Sequence, residues 1–530
     1  MKILTADQMR EVDRLSTEET GIPSLTLMEN AGFHLYLALR DRFEDLADLN
    51  IAVICGKGNN GGDGMVLARQ LVQREIYPDI ILLAKHEQIS GDAAVNLDIL
   101  AHSGVPVFEM STEEAWEEFS RTLEVYDIVV DAILGTGITQ PLHGFFARVV
   151  SDLNDVPAFV LSVDIPSGMV SDAVEPPPLC VAADATVTFT APKIAHILSQ
   201  ELEAVGELSI VSIGSPQNLL DRPEHRVNLL TSEELADAVL PRPVASHKGV
   251  YGHVVLITGS RGKAGAAGLC SYSALRTGSG LVTVYTPRDA QPTVAAFHPE
   301  VMTEGLPSTP DGTFSREAIH LALDLLQGMT AVGMGPGLTT NDETVDFIRT
   351  VVAQSPVPLI LDADGLNAFK DCPDRLKNEH GQPLILTPHP GEFARLTGLS
   401  IPEILSDPIG SATEFAQRLG LWLVLKSYRT LIAAPGGEVY VSPCGNPGMA
   451  TAGMGDVLTG VLTSMIGQYL ASGLKEHSDI TRGVCLGVFL HGLAGDLAAD
   501  EEGWEHLVAG DVILALGDAY DELLEAAIQA

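Results

Sequence analysis

IAVICGKGNNGGDGMVLARQLVQR, residues 51–74, reads as a strand, a glycine-rich turn and an amphipathic helix in immediate succession. The five apolar residues suit a buried parallel strand. The turn GKGNNGGDG, residues 56–64, carries G-x-G-x-x-G at Gly56, Gly58 and Gly61, and the helical pattern LARQLVQR follows. Backbone N–H groups at such a strand-to-helix turn can receive a phosphate, although glycines that only make a tight turn give the same pattern. The paired Asn59 and Asn60, with Asp63, depart from an ordinary dinucleotide fingerprint. Outward from this unit the alternation continues with IILLA at Ile80, IVVDAI at Ile128 and FVLSVDI at Phe159. It predicts βαβ units and a parallel sheet covered by helices on both faces. A second series runs through HVVLITG at His253, LVTVY at Leu281, AVGMG at Ala331, PLILDAD at Pro358, PLILTPH at Pro383 and LWLVLK at Leu421. PQNLLDRPEH, residues 216–225, breaks both periodicities, so two domains are expected, residues 1–218 and 225–530.

The chain has 530 residues, 46% hydrophobic and 19% charged, which favours a multi-core globular protein over a disordered one. Seventy acidic residues against 31 basic ones give a formal charge of −39. That field repels nucleic-acid backbones and anionic bilayers, so neither is expected as a partner. The opening MKILTADQMREVDRL has charges every few residues where a secretory signal has a continuous apolar core. The six cysteines are scattered singly, without a CxxC pair, which argues against structural zinc and a disulfide framework. A cytoplasmic protein is expected, assembling as a homo-oligomer.

Two further strand ends of the first half are polar. IVVDAILGTGITQPLHG places Asp131 before Gly135, Thr136 and Gly137, and FVLSVDIPSG places Asp164, Ser167 and Gly168. One such Asp is commonly a turn or helix cap, but three polar strand ends on one edge make a site. GKGNNGGDG, DAILGTG, VDIPSG and TFTAPK resemble, in order, the N-terminal YjeF domain, the NAD(P)H-hydrate epimerase, over about residues 1–215. The resemblance implies a Rossmann-like three-layer α/β/α domain. By it, Asn59, Asn60, Gly61, Gly62, Asp63, Gly135, Thr136, Gly137, Ile138, Thr139, Gln140, Pro141 and Asp164 would contact the hydrated nicotinamide nucleotide. Asn60, Asp131 and Ser167 would hold a potassium ion, and oxygen ligands suit a hard cation. Inversion at the hydroxyl-bearing carbon needs a group that accepts and returns a proton. Asp164 is the expected one, with Lys193 as the alternative.

In the second half, NPGMATAGMGDVLTGVLTSMIG, residues 446–467, sets Gly453, Met454, Gly455 and Asp456 before a long apolar helical pattern. Their N–H groups can stabilise charge on a transferred phosphoryl group, and Asp456 can accept a hydroxyl proton. An N-capping role for Asp456 is the plainer alternative. The segment is similar to the GxGD signature of ribokinase-like phosphotransferases. With HKGVYGHVVLITGSRGKAGAA, MGPGL, LDADGLN, LTPHPGEFARL and KSYRT it resembles the C-terminal YjeF domain, the ADP-dependent NAD(P)H-hydrate dehydratase, over about residues 226–530. The resemblance implies a ribokinase-like α/β domain. In it Ala264, Gly337, His389 and Asp456 would contact the hydrate, and Lys426, Ser427, Tyr428, Arg429, Thr430 and Gly455 would bind ADP, with Mg2+. Met454 stands where Thr is usual in this family, and Ser427 and Tyr428 where Gly and Ala are usual. His389 on residues alone reads as a turn histidine between two prolines. The substrates implied are NADH-hydrate, NADPH-hydrate and ADP. A vitamin or sugar kinase with a sensor domain, and an N-terminal binding scaffold, are the competing readings.

Overall fold

The computed structural model describes residues 1–529 and divides into two compact units, Lys2–His225 and the chain from Arg226 onward together with Met1. In the first unit, apolar runs rich in Val and Ile form β1 (Ile51–Cys55), β2 (Asp79–Leu82), β3 (Val107–Glu109), β4 (Ile128–Ala132), β5 (Phe159–Val163), β6 (Ala185–Phe189) and β7 (Glu207–Val211). They lie in the order β3-β2-β1-β4-β5-β6-β7, every pair parallel. Strand order reverses between β1 and β4, which opens a crevice at their carboxyl ends.

Side chains alternate across this sheet as a two-residue period requires. Val53, Val130 and Leu161 pack beneath the helices Ser24–Arg42, Asn59–Val72 and Gly91–His102. Ala52, Ile54 and Val129 pack on the opposite face with Trp116 and Val149. Only residues 56–58 of the glycine-rich segment are turn: the helix begins at Asn59, with Gly58 as its N-cap. Asn59 to Gly64 are therefore helical, where the glycine content suggested loop. Close packing outweighs the low helix propensity of glycine here, and residues 60–68 are all buried.

The second unit has a ten-stranded sheet. Its strands are β8 (Val227–Leu229), β9 (His253–Ile257), β10 (Leu281–Pro287), β11 (Met302–Leu306), β12 (Ala331–Met334), β13 (Leu359–Leu361), β14 (Leu384–Leu386), β15 (Trp422–Leu425), β16 (Leu431–Ala433) and β17 (Val439–Val441). The order is β11-β10-β9-β12-β13-β14-β15-β16-β17-β8, parallel except where β16 runs against β15 and β17. One face packs against the helices Ala264–Arg276, Met454–Ala471 and His477–Glu502, the other against Asp342–Gln354, Pro390–Thr397 and Pro408–Leu419. Met454–Ala471 is apolar on nearly every side because it is buried between the sheet and other helices. His477–Glu502 is long and apolar enough to cross a membrane, yet 78% of its apolar window is buried inside the protein. Both units are α/β.

Candidate active sites

The carboxyl ends of β1, β4 and β5 carry the first site. Gly56 leaves β1 so close to the segment after β4 that a Cβ there would lie 1.8 Å from the Ile133 carbonyl oxygen. Only glycine permits that approach. Parallel register sets Asp131 beside Ser162, whose hydroxyl donates to Asp131 Oδ2 at 2.9 Å. The Ser167 N–H donates to the same oxygen at 2.8 Å, and the Ser167 hydroxyl to Oδ1 at 2.5 Å. Burial pushes the Asp131 carboxyl up, against the hydrogen bonds from Ser167, Ser162 and Ile133. Leu134 N–H donates back to Ser167 Oγ at 2.9 Å, while a Cβ on Gly135 would lie 3.2 Å from Asn60 Oδ1. Loop residues Leu134 and Gly135 thus bring Asn60 next to the Asp131–Ser167 pair. Asn60 is 8% exposed and its Nδ2 is buried without a hydrogen-bond partner. Asn60, Asp131 and Ser167 form an oxygen-rich cluster whose amide lacks a protein partner, which fits a monovalent cation once the amide presents its oxygen.

Asp164 lies just beyond β5 with φ of 63°, a left-handed conformation uncommon outside glycine. Its Oδ1 accepts from Lys193 Nζ at 2.5 Å and from Thr188 Oγ1 at 3.0 Å. Burial raises its proton affinity, but the Lys193 charge and hydrogen bond outweigh this and hold the carboxyl below its ordinary value. Lys193 is 1% exposed and also donates to Thr188 and the Phe189 carbonyl. Asp63 is pushed well up by burial and then by Asp164 and Asp13. Burial and charge thus push two coupled acids apart, Asp164 down and Asp63 up, an arrangement suited to moving a proton. Gly137, Thr139, Gln140 and Pro141 form an exposed rim, with Thr136 and Ile138 half-buried. Asn59 is exposed, while Gly61 and Gly62 are buried within the helix.

Two groups of this pocket were not singled out in the sequence. Asp13, on the helix Ala6–Glu18, has a buried Oδ1 with no partner, and burial raises it to about 6 despite Lys193. His196 accepts from the Lys193 N–H at 3.1 Å and keeps a buried, unpartnered Nε2. Burial and then Lys193 lower it to about 3, so it is neutral near pH 7.

The second site lies at the carboxyl ends of β9, β12, β13, β14 and β15. The helix Met454–Ala471 starts after Gly453, whose φ of 95° turns the chain into it, and no side chain caps its first N–H groups. Asp456 is the third helical residue, so it is not the N-cap. Burial, then Asp362, raise Asp456 to about 6 against the pull of Lys426. Lys426 Nζ donates to Asp362 Oδ1 at 2.7 Å, and Thr459 Oγ1 to Asp362 Oδ2 at 3.0 Å. A Cβ on Gly455 would sit 3.2 Å from Lys426 Nζ. A cation, two carboxylates and free helix N–H groups therefore meet at one point.

Ala264 opens the helix Ala264–Arg276, and Gly337 lies against it, its Cβ position 3.0 Å from the Lys263 carbonyl oxygen. Lys263 in turn pairs with Asp364 at 3.4 Å. His389 caps the helix Pro390–Thr397: its Nδ1 accepts from the Gly391 N–H at 3.0 Å, and half of its side chain stays exposed. Ser427 and Tyr428 are exposed beside half-buried Arg429 and Thr430. Arg429 bonds the Pro443 carbonyl, keeps Nε buried without a partner, and is lowered by that burial. A cavity of about 780 Å³ lies at the opposite end of the strands, by the β16–β17 turn, with Glu234, Glu438, His477 and Arg482 in its wall.

The family described as YjeF-related protein N-terminus matches residues 24–195, and that described as NAD(P)H-hydrate dehydratase matches residues 254–514. A bifunctional NAD(P)H-hydrate repair enzyme of Moorella thermoacetica is 40% identical over 514 residues, 97% of this chain and 95% of its own. The chain belongs to the bifunctional NAD(P)H-hydrate repair enzyme family. The Escherichia coli member is 32% identical over 96% of this chain and 92% of its own. An ADP/ATP-dependent NAD(P)H-hydrate dehydratase of Bacillus subtilis, co-crystallised with ATP and Mg2+, is 30% identical, covering 56% of this chain and 99% of that one at a TM-score of 0.48. The two family matches follow one another along this chain in the same order as the two sites.

Proposed function

We propose that the chain repairs hydrated NADH and NADPH by two reactions, interconverting the R and S hydrates at the first site and dehydrating the S form with ADP at the second. The observation that carries this reading is the pairing, in one chain of that family, of two unlike acid–base centres. One is an aspartate locked to a buried lysine; the other is an aspartate at about 6 beside an open helix N-terminus.

At the first site the hydrate nucleotide lies against Asn59, Asn60, Gly61, Gly62 and Asp63, the loop Gly135, Thr136, Gly137, Ile138, Thr139, Gln140 and Pro141, and Asp164. Inversion at the carbon bearing the hydroxyl needs a group that accepts and returns a proton. Asp164, held ionised by Lys193, is the acceptor, and Asp63, whose proton affinity burial and the Asp164 charge raise, is the partner acid. Asn60, Asp131 and Ser167 would hold potassium, which when bound would supply a positive charge beside the loop that receives the substrate.

At the second site Ala264, Gly337, His389 and Asp456 receive the S hydrate, and Lys426, Ser427, Tyr428, Arg429, Thr430 and Gly455 receive ADP, with Mg2+ as its counter-ion. The substrate hydroxyl gives its proton to Asp456 as its oxygen bonds to the β-phosphorus and the bond to AMP breaks. Helix N–H groups and Lys426 stabilise the charge that develops. Phosphate is a far better leaving group than hydroxide. Its departure, with loss of a proton from the neighbouring ring carbon, restores the double bond and yields NAD(P)H, AMP and phosphate. ADP is the assigned donor over ATP, and the chain is assigned to the cytoplasm as a homo-oligomer.

The reading is tested by mixing the protein with hydrated NADH, Mg2+ and ADP and following dihydronicotinamide absorbance together with AMP and phosphate. No recovery with ADP or ATP rejects the dehydratase assignment. A kinase with a sensor domain predicts a stable phosphorylated product and no absorbance.

A further inference from the structure

Asp362, in LDADGLN just beyond β13, lies at the centre of the second site yet has no part in the assignment above. Its side chain is 2% exposed, and both oxygens already accept hydrogen bonds, Oδ1 from Lys426 and Oδ2 from Thr459. The Asp362 N–H donates to the Met334 carbonyl at 3.1 Å, and its own carbonyl accepts from Gly365 at 2.9 Å, so the backbone is fixed on both sides. Through these bonds one residue ties the ends of β12, β13 and β15 to the first two turns of the helix Met454–Ala471. Thr459 follows Asp456 by three residues, one turn along the same helix face. A Cβ on Gly455 would lie 3.3 Å from Asp362 Oδ2, which places the carboxylate directly under the helix N-terminus.

We propose that Asp362 is the positioning residue of the phosphoryl-transfer site, clamping Lys426 and Thr459 to the start of the helix so that Asp456 takes the substrate proton. This rests on the dehydratase reading above and goes beyond it by separating the roles of the two acids. Asp362 is closed off from any substrate hydroxyl, whereas Asp456 remains partly exposed. Three groups on other elements couple to Asp456, and His491 lies against the residue that opens the same helix. Asp362 raises its proton affinity after burial, and Lys426 opposes both. Cys270, on the helix Ala264–Arg276, stays a neutral thiol because burial pushes it far up, and Asp456 and Asp362 add to that. His491, whose Nε2 lies 3.2 Å from the Met454 carbonyl oxygen, is lowered to about 4 by burial and is neutral near pH 7. Removing the Asp362 charge therefore leaves the pull of Lys426 on Asp456 unopposed by Asp362. Asp456 then becomes a weaker base, and Lys426 loses its anchor.

The test uses the full chain with purified S hydrate, ADP and Mg2+, comparing wild type, Asp362→Asn, Thr459→Val and Asp456→Asn across pH. The urea unfolding transition of the second unit in the same preparations reports that it is folded. For Asp362→Asn the expected result is a fall in kcat of about 10²-fold, the scale of a 1 Å misplacement. The acid limb of its kcat/KM profile is expected to move from about 6 to lower pH. Thr459→Val, which keeps the Asp362 charge, is expected to lower kcat several-fold and leave the limb in place. Asp456→Asn is expected to abolish the limb. An Asp362→Asn profile that keeps the wild-type limb and rate overturns the proposal. So does an Asp362→Asn profile that matches Asp456→Asn, which would make Asp362 the base itself. If Asp362→Asn fails to fold, a Thr459→Val enzyme indistinguishable from wild type overturns it. Wild type without dehydration rejects the underlying reading, a result separable from any of these.

Discussion

Asp164 holds a φ of 63° while accepting a hydrogen bond from a lysine that is 1% exposed. A non-glycine residue in that region costs about 1–3 kcal/mol, and such strain persists where surrounding bonds over-determine it. Asn tolerates the same conformation, so Asp164→Asn isolates the charge. It is expected to lose at least about 10²-fold in epimerisation while ADP-dependent dehydration continues, as measured on separated R and S hydrates. The complementary Asp456→Asn is expected to lose about 10²–10⁴-fold in dehydration with epimerisation intact. Asp13 gives a stability test with a definite sign. Its folded-state value of about 6 lies above the ordinary carboxylate value, so between about pH 4 and 6 the folded chain binds the extra proton. Its contribution is thus favourable below that window and is lost as pH rises through it. Asp13→Asn is expected to raise the thermal midpoint at pH 7 and to lose that advantage near pH 4. Asp131, Asp164 and Ser167 were legible in the sequence because each sits at or just beyond the end of an apolar strand. Asp13, His196 and Asp362 were not, since their significance comes from partners far along the chain or from burial that no local spacing encodes.

At the scale of elements, the strands named from apolar runs all form, because short runs rich in Val, Ile and Leu suit burial on both faces of a parallel sheet. The strands β3, β6, β7, β8, β11, β16 and β17 carry weaker patterns and went unread. The start of the helix Asn59–Val72 was misplaced by its glycines, whose low propensity is overridden by packing against β1 and β4. That packing predicts a local lesion. In Gly56→Ala the new Cβ meets the Ile133 carbonyl at 1.8 Å and must push β1 from the segment after β4. Overpacking of this kind costs about 1–3 kcal/mol or more. Urea unfolding of the first unit is expected to shift to lower concentration with loss of epimerisation, while the second unit keeps dehydration activity. Exchange of K+ for Li+ is expected to act on the same unit, reducing epimerisation and leaving S-hydrate dehydration unchanged.

At the scale of the whole molecule, a chain with a charge of −39 has to bind anionic nucleotides. Net charge repels extended polyanions over distance, but a phosphate at a helix N-terminus responds to the few dipoles and cations beside it. In the proposed assignment the N–H groups after Gly453, with Lys426, meet that need locally, and composition alone could not reveal them. The central claim is that one chain clears both epimers of the hydrate. The most direct measurement supplies an R and S mixture with K+, Mg2+ and excess ADP and follows dihydronicotinamide absorbance to its end point. Complete recovery is predicted, in a fast phase from the S form and a slower one set by epimerisation, with one AMP and one phosphate per NADH. Recovery that stops at the S fraction, or absorbance that returns without AMP, would contradict it.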